Sequence, residues 1–187
     1  MTAPATRAGL LIAVVGPSGV GKDTVMEALC RADPSLQIGR RVITRPAKAG
    51  GEDFEGVSVA AFEKRRDAGD FVLSWSVHGL HYGIPKTVCA EVAAGQDMLL
   101  NLSRGVLGAL EHHFDRYVIL ALTASADTLR ARLTARGRED AADIERRLSR
   151  SYALPEGLPV ITVENNGPVD ETVARTLIRL QPERANR

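Results

Sequence analysis

Leu10-Leu11-Ile12-Ala13-Val14-Val15-Gly16-Pro17-Ser18-Gly19-Val20-Gly21-Lys22-Asp23-Thr24 is the stretch that decides the fold. Six consecutive apolar residues read as a strand buried on both faces, as inside a parallel sheet. They run into a glycine-rich turn, and a helix is expected from about Lys22 to Arg31. Strand, glycine turn, lysine and helix in this order make a phosphate-binding P-loop. Glycines let the backbone turn tightly and aim N–H groups at an anion. The helix start adds partial positive charge. Gly16, Pro17, Ser18, Gly19, Val20, Gly21, Lys22, Asp23 and Thr24 are therefore expected to hold the phosphate chain of ATP. Lys22 is expected to reach the β- and γ-phosphates.

Asp23 stands where such loops usually carry Ser or Thr, whose hydroxyl serves Mg²⁺. A carboxylate is also an oxygen donor suited to Mg²⁺, so Asp23 is the expected metal ligand. No apolar run ends in the aspartate that usually supports this metal. Met98-Leu99-Leu100 leads to Asn101 instead.

Working outward, apolar runs and amphipathic stretches alternate. Strands are expected at Arg40–Ile43, Phe71–Val77, Met98–Leu102, Tyr117–Leu122 and Val160–Val163. Helices are expected at Val59–Ala68, Lys86–Ala94, Val106–His113, Ala126–Arg136, Asp143–Tyr152 and Asp170–Leu180. Arg45 to Gly56, with Pro46 and three glycines, reads as a loop. Alternation of this kind implies βαβ units. The expected fold is α/β, a doubly wound parallel sheet of P-loop NTPase type. Residues 1–187 read as one domain, with a small substrate-binding lobe at about 40–85 and an arginine lid at about 130–150.

The lid expectation rests on Arg130-Ala131-Arg132, Arg136-Gly137-Arg138 and Arg146-Arg147. Phosphoryl transfer spreads charge over the transferred oxygens, and arginines closing over them stabilise it and exclude water. Arg132, Arg136, Arg138 and Arg147 are the catalytic candidates beside Lys22, with Gly137 as a hinge. Read alone, the same residues would be a solvated basic face paired with Asp143 and Glu145.

On the acceptor side, Arg41, Thr44, Arg45 and Lys48 place cations and a hydroxyl beside a loop, and arginine suits bidentate phosphate binding. Tyr82 offers a phenol. Asn101, Ser103 and Arg104 sit at the C-terminal end of an expected central strand, where open α/β sheets bind ligands. Glu52 and Asp53 suit sugar hydroxyls or Mg²⁺, and equally well solvated loop charges. Trp75 and Phe71 read as core.

The formal net charge of the 187-residue chain is +1, which gives no global pull toward nucleic acid or membrane. Two distant cysteines, Cys30 and Cys89, read as reduced thiols. No apolar run approaches membrane-spanning length, so a cytoplasmic location is expected. The sequence is compatible with a homodimer and does not fix the oligomeric state.

The loop Gly16-Pro17-Ser18-Gly19, the Thr44-Arg45 element, Tyr82-Gly83 and Arg136-Gly137-Arg138 resemble guanylate kinase, in that order and over nearly the whole chain. The resemblance implies that Asn165-Asn166 forms an adenine-side turn. The acceptor side departs from it. Ser74 stands where that family has a guanine-reading acid before the tryptophan. Asn101-Leu102-Ser103 replaces an acidic pair, and Lys48 replaces a phosphate-binding arginine. A site that hydrogen-bonds a base edge loses most discrimination without its reader. Gly-Lys-Asp, Val42-Ile43-Thr44-Arg45-Pro46, the run Trp75–Pro85 and Asn101-Leu102-Ser103-Arg104 are similar to ribose 1,5-bisphosphate phosphokinases of bacterial phosphonate catabolism. That implies ATP and a phosphorylated sugar as substrates, Mg²⁺ as cofactor and 5-phosphoribosyl 1-diphosphate as product. A guanylate-type nucleoside monophosphate kinase is the alternative enzyme. A non-catalytic guanylate-kinase-like protein-binding module is the alternative from another class.

Overall fold

The apolar run after Gly9 forms β1 (Leu11–Val15), and its side chains go alternately to two different cores. Ile12 and Val14 join one apolar cluster, while Leu11, Ala13 and Val15 join the other. A strand whose odd and even residues are both buried must lie inside a sheet covered on both faces. The computed structural model describes residues 7–46, 52–137, 140–149 and 153–185. It places β1 at the centre of a five-stranded sheet. The neighbours are β2 (Leu36–Ile38), β7 (Asp97–Asn101), β8 (Tyr117–Thr123) and β9 (Val160–Glu164), in the order β2-β7-β1-β8-β9. Every pairing in it is parallel.

One face is covered by α1 (Lys22–Ala32), α4 (Ala126–Arg136) and α6 (Val169–Ala185), which contribute Val25, Leu29, Leu129, Val173 and Leu180. The other is covered by α3 (Lys86–Ala93) and a 3₁₀ helix over Arg104–His112, with Val88, Val92, Leu107 and Leu110. Each fully buried leucine or valine stabilises the fold by about 1.5–3 kcal/mol. Helix α4 starts at Ser125, whose hydroxyl accepts from the Thr128 N–H at 3.2 Å. It stops at Gly137, whose N–H returns to the Thr134 carbonyl at 3.1 Å. The glycine expected as a hinge is thus the helix cap.

A second sheet of four strands has the order β4-β3-β6-β5. It comprises β3 (Arg41–Ile43), β4 (Phe54–Gly56), β5 (Phe71–Val77) and β6 (Leu80–Pro85), with α2 (Val59–Asp67) packed through Phe62. β3 and β4 are parallel, and β6 is antiparallel to both β3 and β5. Helix α5 (Ala141–Leu148) follows α4 and is tied to it by Arg130 Nε donating to Glu145 Oε1 at 2.8 Å.

Several boundaries differ from the sequence reading. The loop expected over Arg45–Gly56 ends in strand β4. The helix expected over Val106–His113 is a 3₁₀ helix beginning at Arg104, since Gly105 and Gly108 weaken an α-helix there. Helix α5 runs over Ala141–Leu148, and residues 150–152 of the expected helix lie outside the described residues. Helix α6 continues through Pro182 to Ala185 rather than stopping at Leu180. Its end is anchored by Arg184, which donates to buried Asp97 at 2.8 Å and to Asp33 at 2.5 Å.

Candidate active site

The loop after β1 borders a cleft of about 700 Å³, within the range of small-molecule sites. Ser18, Gly19, Gly21, Lys22, Asp23 and Thr24 line its floor. Gly19 and Gly21 have φ of 82° and 90°, a region that residues with a Cβ avoid. A Cβ on Gly19 would also come within 3.0 Å of Leu133 Cγ, so the loop packs directly against α4. Across the cleft, Arg132, Ala135 and Arg136 come from α4, Asn165 and Gly167 from the turn after β9, and Val169 from the start of α6.

Two side chains grip the loop at one atom, the Val20 carbonyl. Asn165 Nδ2 donates to it at 2.7 Å and Arg132 Nη1 at 3.2 Å. Asn165 is buried and is itself fixed by Thr172, whose hydroxyl donates to Asn165 Oδ1 at 2.8 Å. Lys22 curls onto its own loop, donating from Nζ to the Gly16 carbonyl at 2.9 Å. Burial pushes the Lys22 ammonium down to about 8, against the attraction of Asp23 and Glu52 and with added repulsion from Arg41 and Arg136. An ammonium already short of solvent gains much from an arriving phosphate.

A smaller cleft of about 240 Å³ adjoins the first. Asp23, Glu27 and Asn101 line both. The rest of the smaller wall is Met26, Ile38, Gly39, Arg40, Glu52 and Asp53. Beside it, buried Arg41 holds Glu52 through two hydrogen bonds, one from Nε to Oε2 at 2.8 Å. Its Nη1 donates to the Asn101 carbonyl at 2.9 Å. Asn101 Nδ2 in turn donates to Asp23 Oδ1 at 2.8 Å. Glu52, Arg41, Asn101 and Asp23 thus form one polar chain from the second sheet to the phosphate loop.

The structure therefore brings together the phosphate loop, Asn165, Arg132 and Arg136 around one cleft, and Asp23, Asn101 and Glu52 around the other. Other expected residues sit apart. The Thr44 hydroxyl accepts the His81 N–H at 2.8 Å, joining β3 to β6. The Arg45 guanidinium lies over the Phe54 ring, 4.4 Å from its centre. Tyr82 stacks on Trp75 at 5.3 Å, with Arg41 5.2 Å from its ring centre. None of Thr44, Arg45 and Tyr82 lines either cleft. Ser103 caps the 3₁₀ helix through the Gly105 N–H, and Arg104 donates to the Ala153 carbonyl at 3.2 Å, also outside both clefts. Asn166 accepts the Ser125 N–H at 2.8 Å, at the start of α4. Lys48, Arg138 and the side chain of Arg147 lie outside the described residues.

Glu27 is a site residue that the sequence reading passed over. It follows Asp23 by four positions, which puts both on one face of α1. That spacing was the available signal.

Comparison with known proteins adds a lineage to this geometry. The guanylate kinase family model matches residues 9–176. The ribose 1,5-bisphosphate phosphokinase PhnN of Ruegeria sp. (strain TM1040) is 48% identical over 186 residues, covering 98% of this chain and 97% of that one. The protein of the same name from Pseudomonas fluorescens (strain SBW25) is 42% identical, over 91% of this chain and 94% of that one. Among solved structures, a guanylate kinase from Anaplasma phagocytophilum superposes with a TM-score of 0.66 at 22% identity, over 97% of this chain and 88% of that one. That last likeness is one of fold.

Proposed function

The chain belongs to the guanylate kinase family, beside relatives named ribose 1,5-bisphosphate phosphokinase, and on that footing we propose that it transfers the γ-phosphate of ATP to ribose 1,5-bisphosphate. The products are ADP and 5-phosphoribosyl 1-diphosphate. The observation that carries this reading is the 48% identity over 98% of the chain with the Ruegeria relative, which takes in the acceptor side as well as the phosphate loop.

The chemistry asks little covalent work of the protein. The nucleophile is an oxygen of the sugar's 1-phosphate, ionised at neutral pH, so no strong general base is needed. A new O–P bond forms at the γ-phosphorus as its bond to the β–γ bridging oxygen breaks, and that electron pair leaves with ADP. Positioning and charge neutralisation carry the rate. The loop amides and Lys22 hold the β- and γ-phosphates. Arg132 and Arg136, joined by Arg138 and Arg147 of the lid, meet the charge on the transferred group.

The donor set fits Mg²⁺ with ATP. Asp23 offers a carboxylate beside the phosphate cradle, and among the described residues no group of three or more His, Cys, Asp or Glu forms an all-protein metal cage. Mg²⁺ commonly uses one or two carboxylates plus substrate phosphates and water. Asp23 would hold it, and when bound it supplies charge neutralisation across the phosphates.

On the acceptor side, Glu27, Glu52 and Asp53 give the smaller cleft oxygen acceptors for sugar hydroxyls. Arg45 and Lys48 are the proposed phosphate contacts, and Arg45, which rests over the Phe54 ring outside both clefts, would have to swing toward the sugar. Strand β5 carries no carboxylate to read a purine edge. The competing guanylate-type reading draws on the family match itself.

Parallel assays with Mg·ATP and either ribose 1,5-bisphosphate or GMP decide between them. The product is identified by mass and by conversion in a phosphoribosyltransferase reaction. The sugar bisphosphate is expected to be preferred by kcat/KM. A strong preference for GMP overturns the assignment.

A further inference from the structure

In P-loop enzymes a Ser or Thr hydroxyl after the lysine and an aspartate on a nearby strand together support Mg²⁺. In this chain the residue after Lys22 is Asp23, and the last residue of β7, the strand beside β1, is Asn101. The register sets Val14 opposite Asn101, which brings that strand end alongside the start of the phosphate loop. There the Asn101 amide donates to Asp23 Oδ1 at 2.8 Å. The usual pairing puts a hydroxyl on the loop and a carboxylate on the strand. Here the carboxylate is on the loop and the donor on the strand. One carboxylate and one hydrogen bond remain, with the bond's direction reversed.

Asn101 is well placed to hold that geometry. It is buried, with 8% exposure, and its own carbonyl is fixed by Arg41, which is clamped by Glu52. A donor held this firmly fixes the rotation of the carboxylate it binds. Partners of metal-binding carboxylates act in this way, and their loss costs about 10- to 100-fold in metal affinity.

We propose that Asn101 is a positioning residue for Mg²⁺, and that Asp23 and Asn101 form a metal clamp with the loop and strand parts exchanged. The Asn101 amide occupies one acceptor direction of Asp23 and leaves the remaining lone pairs of a carboxylate that lines both clefts for the metal. This rests on the reading of the chain as a Mg·ATP enzyme, and not on the identity of the acceptor.

The test compares the parent protein with Asp23→Ser, Asn101→Leu and the double variant Asp23→Ser/Asn101→Asp, each checked for folding by thermal melting. Calorimetry reads the affinity for a non-hydrolysable ATP analogue with and without Mg²⁺, and no acceptor is present. The ratio of the two affinities is the Mg²⁺ enhancement. Asp23→Ser and Asn101→Leu are each expected to cut the enhancement at least about tenfold. The double variant restores the usual loop hydroxyl and strand carboxylate, and its enhancement is expected to return to within about threefold of the parent. A double variant no better than Asp23→Ser overturns the proposal, even where Asn101→Leu fails to fold. So does a folded Asn101→Leu protein that keeps the parent's enhancement and only raises the KM for the acceptor, as a direct acceptor contact would. A parent that binds the analogue without any Mg²⁺ enhancement overturns it as well. Failure of ribose 1,5-bisphosphate as acceptor leaves all of these readings intact.

Discussion

The large and the small cleft, proposed above as the nucleotide and acceptor sides, meet at Asp23, Glu27 and Asn101, yet they are built by different means. The nucleotide side is mostly main chain. Its loop follows a fully buried five-residue strand, and two side chains hold it by a single backbone carbonyl. The acceptor side is mostly side chain. Strands β3 and β4 have three residues each, and the lobe is held by the Arg41–Glu52 pair and by stacked rings such as Trp75 on Tyr82 and Phe62 on Phe71. Main-chain amides bind phosphate whatever the neighbouring side chains are, so that half can serve many kinases unchanged. Side-chain contacts can be rewritten one residue at a time, which suits the half proposed to select the acceptor.

The sharpest break in this comparison is Lys22→Met. It should cost about 10³-fold or more in kcat, because a charge aimed at the transferred phosphate is lost. The Tm at pH 7 should not fall, because a neutral side chain no longer pays for ammonium burial. A folded variant with undiminished turnover would remove Lys22 from the mechanism. On the acceptor side the expected loss falls on the fold. Arg41→Met strands the Glu52 carboxylate and the Asn101 carbonyl, and urea unfolding should show about 3 kcal/mol of lost stability. Adding Glu52→Gln should recover part of it. A loss below about 0.5 kcal/mol would mean that the lobe does not depend on the pair.

The smallest effect is a fraction of a proton. Lys22 sits at about 8 in the structure, against an ordinary value of 10.5, so it is partly neutral at pH 8.5. Phosphate favours the ammonium form, so ATP binding should take up protons between about pH 8 and 10.5. It should do so much less at pH 7, where Lys22 is already charged. Affinity for ATP should weaken as pH rises through that window. Calorimetry at pH 8.5 in buffers of different ionisation enthalpy reads the uptake, and the same uptake in Lys22→Met would assign it to another group.

The two halves also differed in how plainly the sequence declared them. Strand β1, the phosphate loop and α4 over Ala126–Arg136 were legible through an unbroken apolar run, glycine spacing and an amphipathic stretch, one signal for each. Strands β2, β4 and β6 were not. β2 and β4 are three residues long, too short to show a period, and β4 closes a glycine-rich stretch. β6 contains Gly83 and ends on Pro85, residues that usually mark turns. The lobe as a region stood out through its broken alternation, while its strand pairing was invisible. Within the site, Lys22 and Asp23 were legible from the motif, while Glu27 was passed over although its spacing from Asp23 offered a signal. The Asn101–Asp23 contact was not, since it joins residues 78 positions apart through the pairing of β1 with β7.

The hold of Asn165 on the Val20 carbonyl spans 145 positions. It gives the phosphate loop a place in time as well as in space. Asn165 follows β9, which among the described residues is an edge strand paired with β8. During synthesis, the loop emerges 145 positions before this tether. A nascent chain can therefore carry the whole motif and still lack the fixed cradle until β9 has docked. Contacts so distant in sequence form late, after shorter loops have closed. Tight ATP binding would then mark a chain in which β9 has docked, and the nucleotide would favour that state.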